Sequence, residues 1–391
     1  MAGGTFPEVL IPLRRHLLLA VPPALLGLRA HAQERASTFP QAGTAPDAGQ
    51  VGVEVMTEGL AHPRGLAFLP DGRMLVTERA GRLRLVGPGG QLSPPLPGVP
   101  EVVAQGQGGL LDVAVAPDFA RSGAVFLAYA EAGEGGAGTA VARAVLEGER
   151  LVGARVIYRQ LPKVRGGQHF GARLVFARDG TLFVTQGDRY GYRGHAQELG
   201  SLIGKIARIG PDGSVPTNNP FVGRPGARPE IWSYGHRNIQ AAALDPATGL
   251  LWVADHGARG GDEINQPQAG RNYGWPVVTY GVDYSGMRIG EGTARDGMEE
   301  PVHYWDPSIA PSGLAFVVGD AFPGWRGNML VGALRGQHLA RLEMRAGRVV
   351  AEHRYLEDMG ERIRDVRMGP DGRVWLLTDS AKGRILRLSP R

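Results

Sequence analysis

The sequence predicts an all-β protein, a six-bladed β-propeller of four-stranded antiparallel blades, on three observations. A phrase of one apolar strand, an Asp-containing turn and a second apolar strand recurs about six times after residue 60, at a spacing of roughly 45 to 75 residues. Glycine accounts for 60 of the 391 residues and proline for 29, which is typical of a turn-rich β protein. Signals for helices are few.

The segment before the repeats carries an export signal. Two adjacent arginines precede an apolar stretch at 17–28, and Ala30-His31-Ala32 forms an A-x-A cleavage site, so residues 1–32 are predicted to be a signal peptide. The apolar stretch is too short to span a bilayer, and the sequence predicts no membrane-spanning segment elsewhere. Residues 33–50 are predicted to be a disordered leader. The predicted location is therefore the periplasm or the outside of the cell.

The repeated phrase defines the blades, and residues 51–391 are predicted to form a single propeller domain. Each small sheet cannot bury both of its faces alone, whereas six sheets stacked around an axis bury them all. Val51–Val55 is predicted to close the ring against the last copy. The segment 201–209 fits either a strand or a short helix, and a pair of β-sandwiches is the alternative fold. The turns of the six copies lie at Asp71, Asp118, Asp179, Asp245, Asp320 and Asp371.

Composition excludes several classes of function. The chain has no cysteine, which excludes disulfides, thiolate metal sites and cysteine nucleophiles. The formal net charge is +5, but the arginines are scattered and form no basic run, so no nucleic-acid partner is predicted. Small acidic ligands remain compatible with this charge. Phosphate-binding loops, the G-x-S-x-G elbow and the H-E-x-x-H motif are absent.

Two glycine-rich segments place polar side chains at the mouths of predicted strands. His169 lies among glycines just before an apolar strand, and histidine is the side chain best suited to accept a proton near neutral pH. Gln107 lies among glycines before the strand of the second copy. The alternatives are a hydrogen-bonded turn histidine and an ordinary glycine-rich turn.

Three further groups of residues carry possible chemistry. Arg237 and Asn238 follow an apolar strand and offer fixed donors for carboxylates or quinone oxygens, or a salt bridge with a capped turn. The segment 255–265 combines glycines with three acidic residues, which suits a hard cation such as calcium or a solvated acidic loop. Arg362 and Arg364 lie on the same side of a strand, and with Arg335 they suit a polyanionic ligand or a charged surface.

These segments together resemble one family, the soluble pyrroloquinoline quinone (PQQ)-dependent sugar dehydrogenases, also called the glucose/sorbosone dehydrogenase family. The similarity runs in order from about residue 55 to 390 through GQGGLLDV, HFGARLVF, GHRN, DEIN, GRNYGWP, APSG, GAL and RIRDV. The compact length resembles the bacterial aldose sugar dehydrogenase branch. The resemblance implies a six-bladed propeller, in agreement with the repeats.

The resemblance also implies roles for particular residues. His169 matches the base that takes the proton from the anomeric hydroxyl of an aldose, as hydride passes to PQQ. Asp188 matches a carboxylate that orients this imidazole, and Arg237 matches a group that stabilises negative charge on the quinone oxygen. Electrons would pass on to an acceptor such as a quinone, a cytochrome or a dye. Cofactor contacts are implied for Gln107, Arg237, Asn238, Tyr284, Ala333, Leu334, Arg335, Arg362 and Arg364.

The same resemblance implies two calcium sites. The carbonyls of Gly257 and Ala258 match those that bind the calcium that polarises PQQ. Glu263 and Tyr273 match a second calcium site.

The sequence departs from the family pattern at several points, and two other functions fit the fold. Arg335 stands where some relatives carry lysine, and the residues 304–307 and 188–199 differ from the glucose branch. One alternative is a metal-dependent sugar lactonase, which needs metal but no PQQ and no arginine cluster. The other is a non-enzymatic propeller that binds a protein or glycan.

Overall fold

The structure is a computed structural model that describes Met1 and residues 51–391. The predicted signal peptide at 1–32, apart from Met1, and the predicted leader at 33–50 lie outside the described residues. No helix within the described part of the chain is long and apolar enough to cross a membrane.

The described residues form strands of three to twelve residues that are rich in Leu, Val, Ile and Ala. The strands are β1 (Val51–Leu60), β2 (Pro63–Phe68), β3 (Met74–Glu78), β4 (Arg82–Val86), β5 (Leu110–Val115), β6 (Ala124–Gly133), β7 (Gly136–Glu147), β8 (Arg150–Arg159), β9 (Leu174–Phe176), β10 (Leu182–Thr185), β11 (Lys205–Ile209), β12 (Ile231–Tyr234), β13 (Ile239–Leu244), β14 (Leu251–Asp255), β15 (Asp262–Asn265), β16 (His303–Trp305), β17 (Pro311–Phe316), β18 (Met329–Ala333), β19 (Leu339–Arg345), β20 (Arg348–Tyr355), β21 (Ile363–Met368), β22 (Val374–Thr378) and β23 (Gly383–Pro390). The helical elements are short: α1 (Phe119–Ser122) and two 3-10 turns at Arg193–Gln197 and Glu357–Met359.

The strands pair into six antiparallel sheets, which confirms the predicted six-bladed propeller. Blades 2 to 5 are the four-stranded sheets β5–β8, β9–β12, β13–β16 and β17–β20. Blade 1 is β2-β3-β4, and its fourth strand is reduced to a bridge between Val86 and Leu92. The segment 201–209, which fitted two elements, contains strand β11.

The last blade closes the ring with the first strand of the described chain. Strands β21, β22 and β23 pair in order, and β1 adds to β23 in antiparallel register from Val51 opposite Pro390 to Leu60 opposite Gly383. Val51–Val55 therefore belongs to the strand that closes the ring, as the sequence predicted. The inner strands β2, β5, β9, β13, β17 and β21 contact one another in a closed circle around the axis.

Apolar side chains pack between the blades rather than at one central core. Six clusters of buried residues each join two neighbouring blades, for example Val76 with Leu377 between blades 1 and 6, and Phe183 with Val253 between blades 3 and 4. Burying both faces of every sheet in this way removes the need for a separate core.

Candidate active site

His169 lies in the loop before β9, where hydrogen bonds to neighbouring residues stabilise an unusual backbone conformation. Its φ is +51°, in the left-handed region that non-glycine residues rarely adopt. The backbone N–H of His169 donates to Gln107 Oε1 at 2.9 Å, and Gln107 N–H donates in turn to the carbonyl of Gly167 at 2.7 Å. Gln107, for which a cofactor contact was predicted, thus positions the histidine.

The imidazole of His169 is paired with Asp188. Nδ1 lies 2.6 Å from Asp188 Oδ1, and since an ionised carboxylate can only accept, Nδ1 carries the proton and Nε2 is the basic nitrogen. Burial lowers the pKa of His169 below its ordinary value of 6.5; the bond to Asp188 opposes this, and nearby Arg237 adds to it. The imidazole is therefore neutral at physiological pH, as a general base requires.

Asp188 is itself fixed from three sides. Trp275 Nε1 donates to its Oδ2 at 2.8 Å, and the backbone N–H of Tyr190 donates to its Oδ1 at 2.7 Å. Its own N–H donates to the carbonyl of Arg237 at 2.7 Å. The pair His169–Asp188 thus lies within a network that joins blades 3 and 4.

Arg237 and Asn238 follow β12 and are held by Asp255 at the end of β14. The carboxylate of Asp255 accepts from the backbone N–H of Arg237 at 3.0 Å and from that of Asn238 at 2.5 Å. The Arg237 guanidinium donates to the carbonyl of His256 at 3.0 Å and lies 5.2 Å from the Trp275 ring, while its Nε has no partner.

A cavity of about 280 Å³ opens in front of these groups. The predicted residues His169, Asp188, Arg237, Tyr284 and Ala258 all line it. The remaining lining residues were not predicted from the sequence: Tyr190, Gly191, Arg193, Trp275, Asp283 and Ile289.

Arginines cluster beside the site around a single carboxylate. Arg364 and Arg362 both donate to Asp379 Oδ2, at 2.8 Å and 3.1 Å. Burial alone would raise the pKa of Asp379, but Arg364, Arg64 and Arg362 outweigh it and hold this pKa at about 2. Burial and the charge of Arg364 lower the pKa of Arg64 well below its usual range. Two guanidinium groups thus bond to one carboxylate, and the charge of a third, that of Arg64, also acts on it.

Hydrogen bonds link this cluster to the histidine loop. Arg364 donates to Gln240 Oε1 at 3.3 Å, and Gln240 Nε2 donates to Asn238 Oδ1 and to the carbonyl of Gly171, both at 3.1 Å. The backbone N–H of Gly171 also donates to Asn238 Oδ1, at 3.3 Å. The Asn238 oxygen is therefore committed to the protein, which leaves its amide nitrogen for a ligand.

The remaining predicted cofactor residues lie around blade 5. Arg362 donates to the carbonyl of Leu334 at 3.1 Å, and the backbone N–H of Ala333 donates to His338. Arg335 is exposed and lines a separate cleft of about 200 Å³ that includes Tyr304 and Asp306. The structure therefore does not bring Arg335 into the cavity of His169.

Three of the four predicted metal residues line a very small cavity of about 10 Å³ next to Arg237, whereas Ala258 lines the cavity of His169. The three are Gly257, Glu263 and Tyr273. Burial and the charges of Asp255 and Asp262 raise the pKa of Glu263 to about 8, although Asn265 donates to it at 3.0 Å. The Tyr273 hydroxyl bonds to the backbone of Gln268 and Gln266, both at 2.9 Å. Among the described residues, no three His, Cys, Asp or Glu side chains form a metal cluster.

The most informative residues that sequence reasoning missed are Arg64, Asp379 and Trp275. Arg64 lies at the start of the inner strand of blade 1, the position that Arg364 holds in blade 6, so a comparison of strand starts between repeats could have found it. Trp275 lies in the predicted GRNYGWP insertion, but nothing in that pattern shows its contact with Asp188.

The fold and site define a six-bladed propeller with a histidine–carboxylate pair and a cationic cluster at one cavity. The family described as Glucose / Sorbosone dehydrogenase matches residues 60–387, and the chain belongs to this family. It is 48% identical to the aldose sugar dehydrogenase YliI of Escherichia coli (strain K12), over 87% of this chain and 93% of that protein.

Solved structures agree with this assignment. A crystal structure of a glucose dehydrogenase is 51% identical, with a TM-score of 0.85, over 86% of this chain and 99% of that one. The PQQ-bound form of an aldose sugar dehydrogenase from Streptomyces coelicolor is 31% identical, with a TM-score of 0.73, over 89% of this chain and 100% of that one. The chain is thus a homologue of sugar dehydrogenases, which are oxidoreductases, and it has their propeller fold.

Proposed function

We propose that the protein oxidises aldose sugars at the anomeric carbon to lactones, with PQQ as the cofactor and calcium as its partner. The observation that carries this proposal is the neutral, Asp188-paired His169 in one cavity with Arg237, beside a cluster with more arginines than carboxylates. The PQQ-bound relative from Streptomyces coelicolor supports the choice of cofactor.

The arginine cluster fits PQQ, which carries three carboxylates. Asp379 is the carboxylate that Arg64, Arg362 and Arg364 have in common, and the buried Nε atoms of Arg364 and Arg237 lack partners. An anion would satisfy these donors, and charge-assisted bonds of this kind are roughly twice as strong as neutral ones. A sugar lactonase would need no such cluster. Gln107, Asn238, Tyr284, Ala333 and Leu334 would hold other parts of the cofactor, and Arg335 would have to swing toward it.

The small cavity beside Glu263 fits one cation. A carboxyl group whose pKa is raised by burial and by other carboxylates gains from a positive ion, and a cavity of about 10 Å³ is near the size of one water or ion. Because the Tyr273 hydroxyl is engaged, the contribution of Tyr273 would come from its carbonyl oxygen. The carbonyls of Gly257 and Ala258 would hold a second calcium toward PQQ.

The residues of the chain then have the following roles. Nε2 of His169 takes the proton of the anomeric hydroxyl, and Asp188 stabilises the imidazolium that forms. When bound, PQQ supplies a quinone carbon that accepts the hydride leaving C1, so that two electrons leave the sugar as the lactone forms. Arg237 supplies positive charge where negative charge develops on oxygen. Trp275 and Gln107 keep the histidine and its carboxylate in place.

We also propose that the protein is exported and acts in the periplasm or outside the cell, from the signal-peptide pattern at 1–32. A quinone, a cytochrome or, in vitro, a dye would take the electrons from the reduced cofactor.

The test is dye reduction by the purified chain with a panel of aldoses, with and without PQQ and calcium. Activity is expected only with PQQ, and His169→Ala is expected to lower kcat by about 10²–10⁴-fold because it removes the general base. His353→Ala, in the outer strand β20, is the matched control and is expected to keep the full rate. PQQ-independent activity, or an unchanged rate in His169→Ala, would contradict the proposal.

A further inference from the structure

Tyr190 has an unusual conformation beside the catalytic pair. Arg189 and Tyr190 have φ angles of +57° and +61°, two consecutive non-glycine residues in the left-handed region. Such a conformation is strained for a residue with a side chain, and strain of this kind is concentrated at functional sites. Tyr190 is nevertheless 50% exposed, and it lines the cavity together with polar residues such as Arg193 and apolar residues such as Ile289.

Buried contacts of Arg189 force this exposure. The Arg189 side chain donates to the carbonyls of Gly166, at 2.6 Å, and Gln168, and its guanidinium lies 3.5 Å from the centre of the Phe170 ring. The next backbone N–H, that of Tyr190, donates to Asp188 Oδ1 at 2.7 Å. With the preceding residue and its own N–H held in this way, Tyr190 lines the cavity.

The ring of Tyr190 lies against the catalytic imidazole. The centroids of Tyr190 and His169 are 5.3 Å apart, with an angle of 80° between the rings. The two rings thus pack edge to face, and the exposed part of Tyr190 remains accessible to a ligand. A substrate whose hydroxyl meets His169 therefore comes within contact distance of the Tyr190 ring.

We infer that Tyr190 is a specificity-determining residue that stacks on the ring of a cyclic pyranose and so selects the closed form of the sugar. This inference rests on the proposed function. A pyranose presents an apolar face of C–H groups with hydroxyls at its rim, which matches an exposed aromatic ring in a cavity that also holds the polar side chains of His169, Asp188 and Arg237. An open-chain polyol has no such rigid face and gains little from the tyrosine.

The test measures binding separately from oxidation, with a methyl pyranoside that lacks the free anomeric hydroxyl and so cannot react. Its Kd is measured by saturation-transfer NMR, with and without PQQ, for the native chain, Tyr190→Phe and Tyr190→Ala. Tyr190→Ala is expected to weaken binding about 3- to 10-fold, in line with the value of one aromatic contact. Tyr190→Phe is expected to bind within about twofold of the native chain, since it keeps the ring.

Two controls separate this role from a structural one. Tyr192→Ala removes a tyrosine two residues away that does not line the cavity and is expected to leave the Kd unchanged. With free aldoses, Tyr190→Ala is expected to raise KM with little change in kcat, and binding of an open-chain alditol is expected to be unaffected.

The outcomes distinguish this inference from the proposed function. If Tyr190→Ala binds the pyranoside as tightly as the native chain, or if only kcat falls, the inference is wrong even where PQQ-dependent oxidation is found. If pyranoside binding depends on Tyr190 but no aldose is oxidised with PQQ, the inference stands and the proposed function fails.

Discussion

At the scale of single residues, the chemistry of the site depends on the protonation of His169. Burial lowers its pKa below 6.5, and Asp188 opposes this lowering. The base is active only when it is neutral, so activity should persist as the pH falls through 6.5 and disappear below the lowered pKa of the folded protein. Asp188→Asn removes the opposing charge and should move this acid limb to still lower pH.

The measurement is kcat/KM for one aldose between about pH 4 and pH 8, which reports the pKa of the essential base in the free enzyme. Asp188→Asn should also lower the plateau rate, because the imidazole loses the partner that stabilises its charged form. Two results would contradict this account of the His169 pKa. One is an acid limb of kcat/KM at or above pH 6.5 in the native protein, and the other is a limb that moves to higher pH in Asp188→Asn.

The sequence predicted those site residues that combine a reactive or charged side chain with a recognisable motif. His169, Asp188 and Arg237 lie in motifs that also mark the family, and the structure brings them to one cavity. Arg64 was missed because an arginine at a strand start has no signature of its own. Asp379 was missed because a surface turn is the usual place for an aspartate, and only folding brings it to Arg364.

At the scale of elements, loops of two neighbouring blades meet at Trp275. This indole lies in the loop after β15, in blade 4, and donates to Asp188 of blade 3 at 2.8 Å. Trp275→Phe keeps an aromatic ring beside Arg237 but removes the N–H donor. This hydrogen bond, of a kind worth about 1.5–3 kcal/mol, holds the Asp188 carboxylate in place beside His169. Its loss is expected to misplace the carboxylate and to lower kcat about 10-fold or more.

The pH profile separates this role from mere packing. Without the indole donor, the negative charge of the Asp188 carboxylate acts more strongly on His169 and favours the imidazolium, so the acid limb should move to higher pH. Trp232→Phe is the matched control, since its indole donates at 3.3 Å to the carbonyl of Pro267, outside the cavity. If Trp275→Phe loses activity without a shift in the limb, Trp275 acts only through packing.

The strands could be predicted from the sequence, but their irregularities could not. In five blades the inner strand skips register near its start, at the end next to the site. The skipped residues include Arg64, Gln240, Ser312 and Arg364. A bulge leaves a residue unpaired and re-aims it, which turns these groups toward the axis. Because register depends on the partner strand, the hydrophobic pattern of one strand does not reveal a bulge.

At the scale of the whole molecule, one side chain on the axis joins all six blades. Arg173 precedes β9 in blade 3 and is buried. It forms ion pairs with Asp112 of blade 2 at 3.3 Å and Asp365 of blade 6 at 3.2 Å. It also donates to the carbonyls of four bulged residues in blades 1, 4, 5 and 6: Arg64 at 3.4 Å, Gln240 at 2.7 Å, Ser312 at 2.8 Å and Arg364 at 3.2 Å.

This arrangement predicts that Arg173→Met destabilises the ring as a whole. Within the described chain, the substitution leaves Arg367 as the one cation paired with two buried carboxylates and removes the donor of four carbonyls. Breaking a buried pair in this way costs about 3–5 kcal/mol. The thermal midpoint should fall by roughly 5 °C for a chain of this size. Arg143→Met, at a partly exposed position of strand β7, is the matched control and should change the thermal midpoint little. Equal thermal midpoints for the two variants would contradict this prediction. They would mean that the apolar clusters between the blades stabilise the propeller without the arginine on its axis.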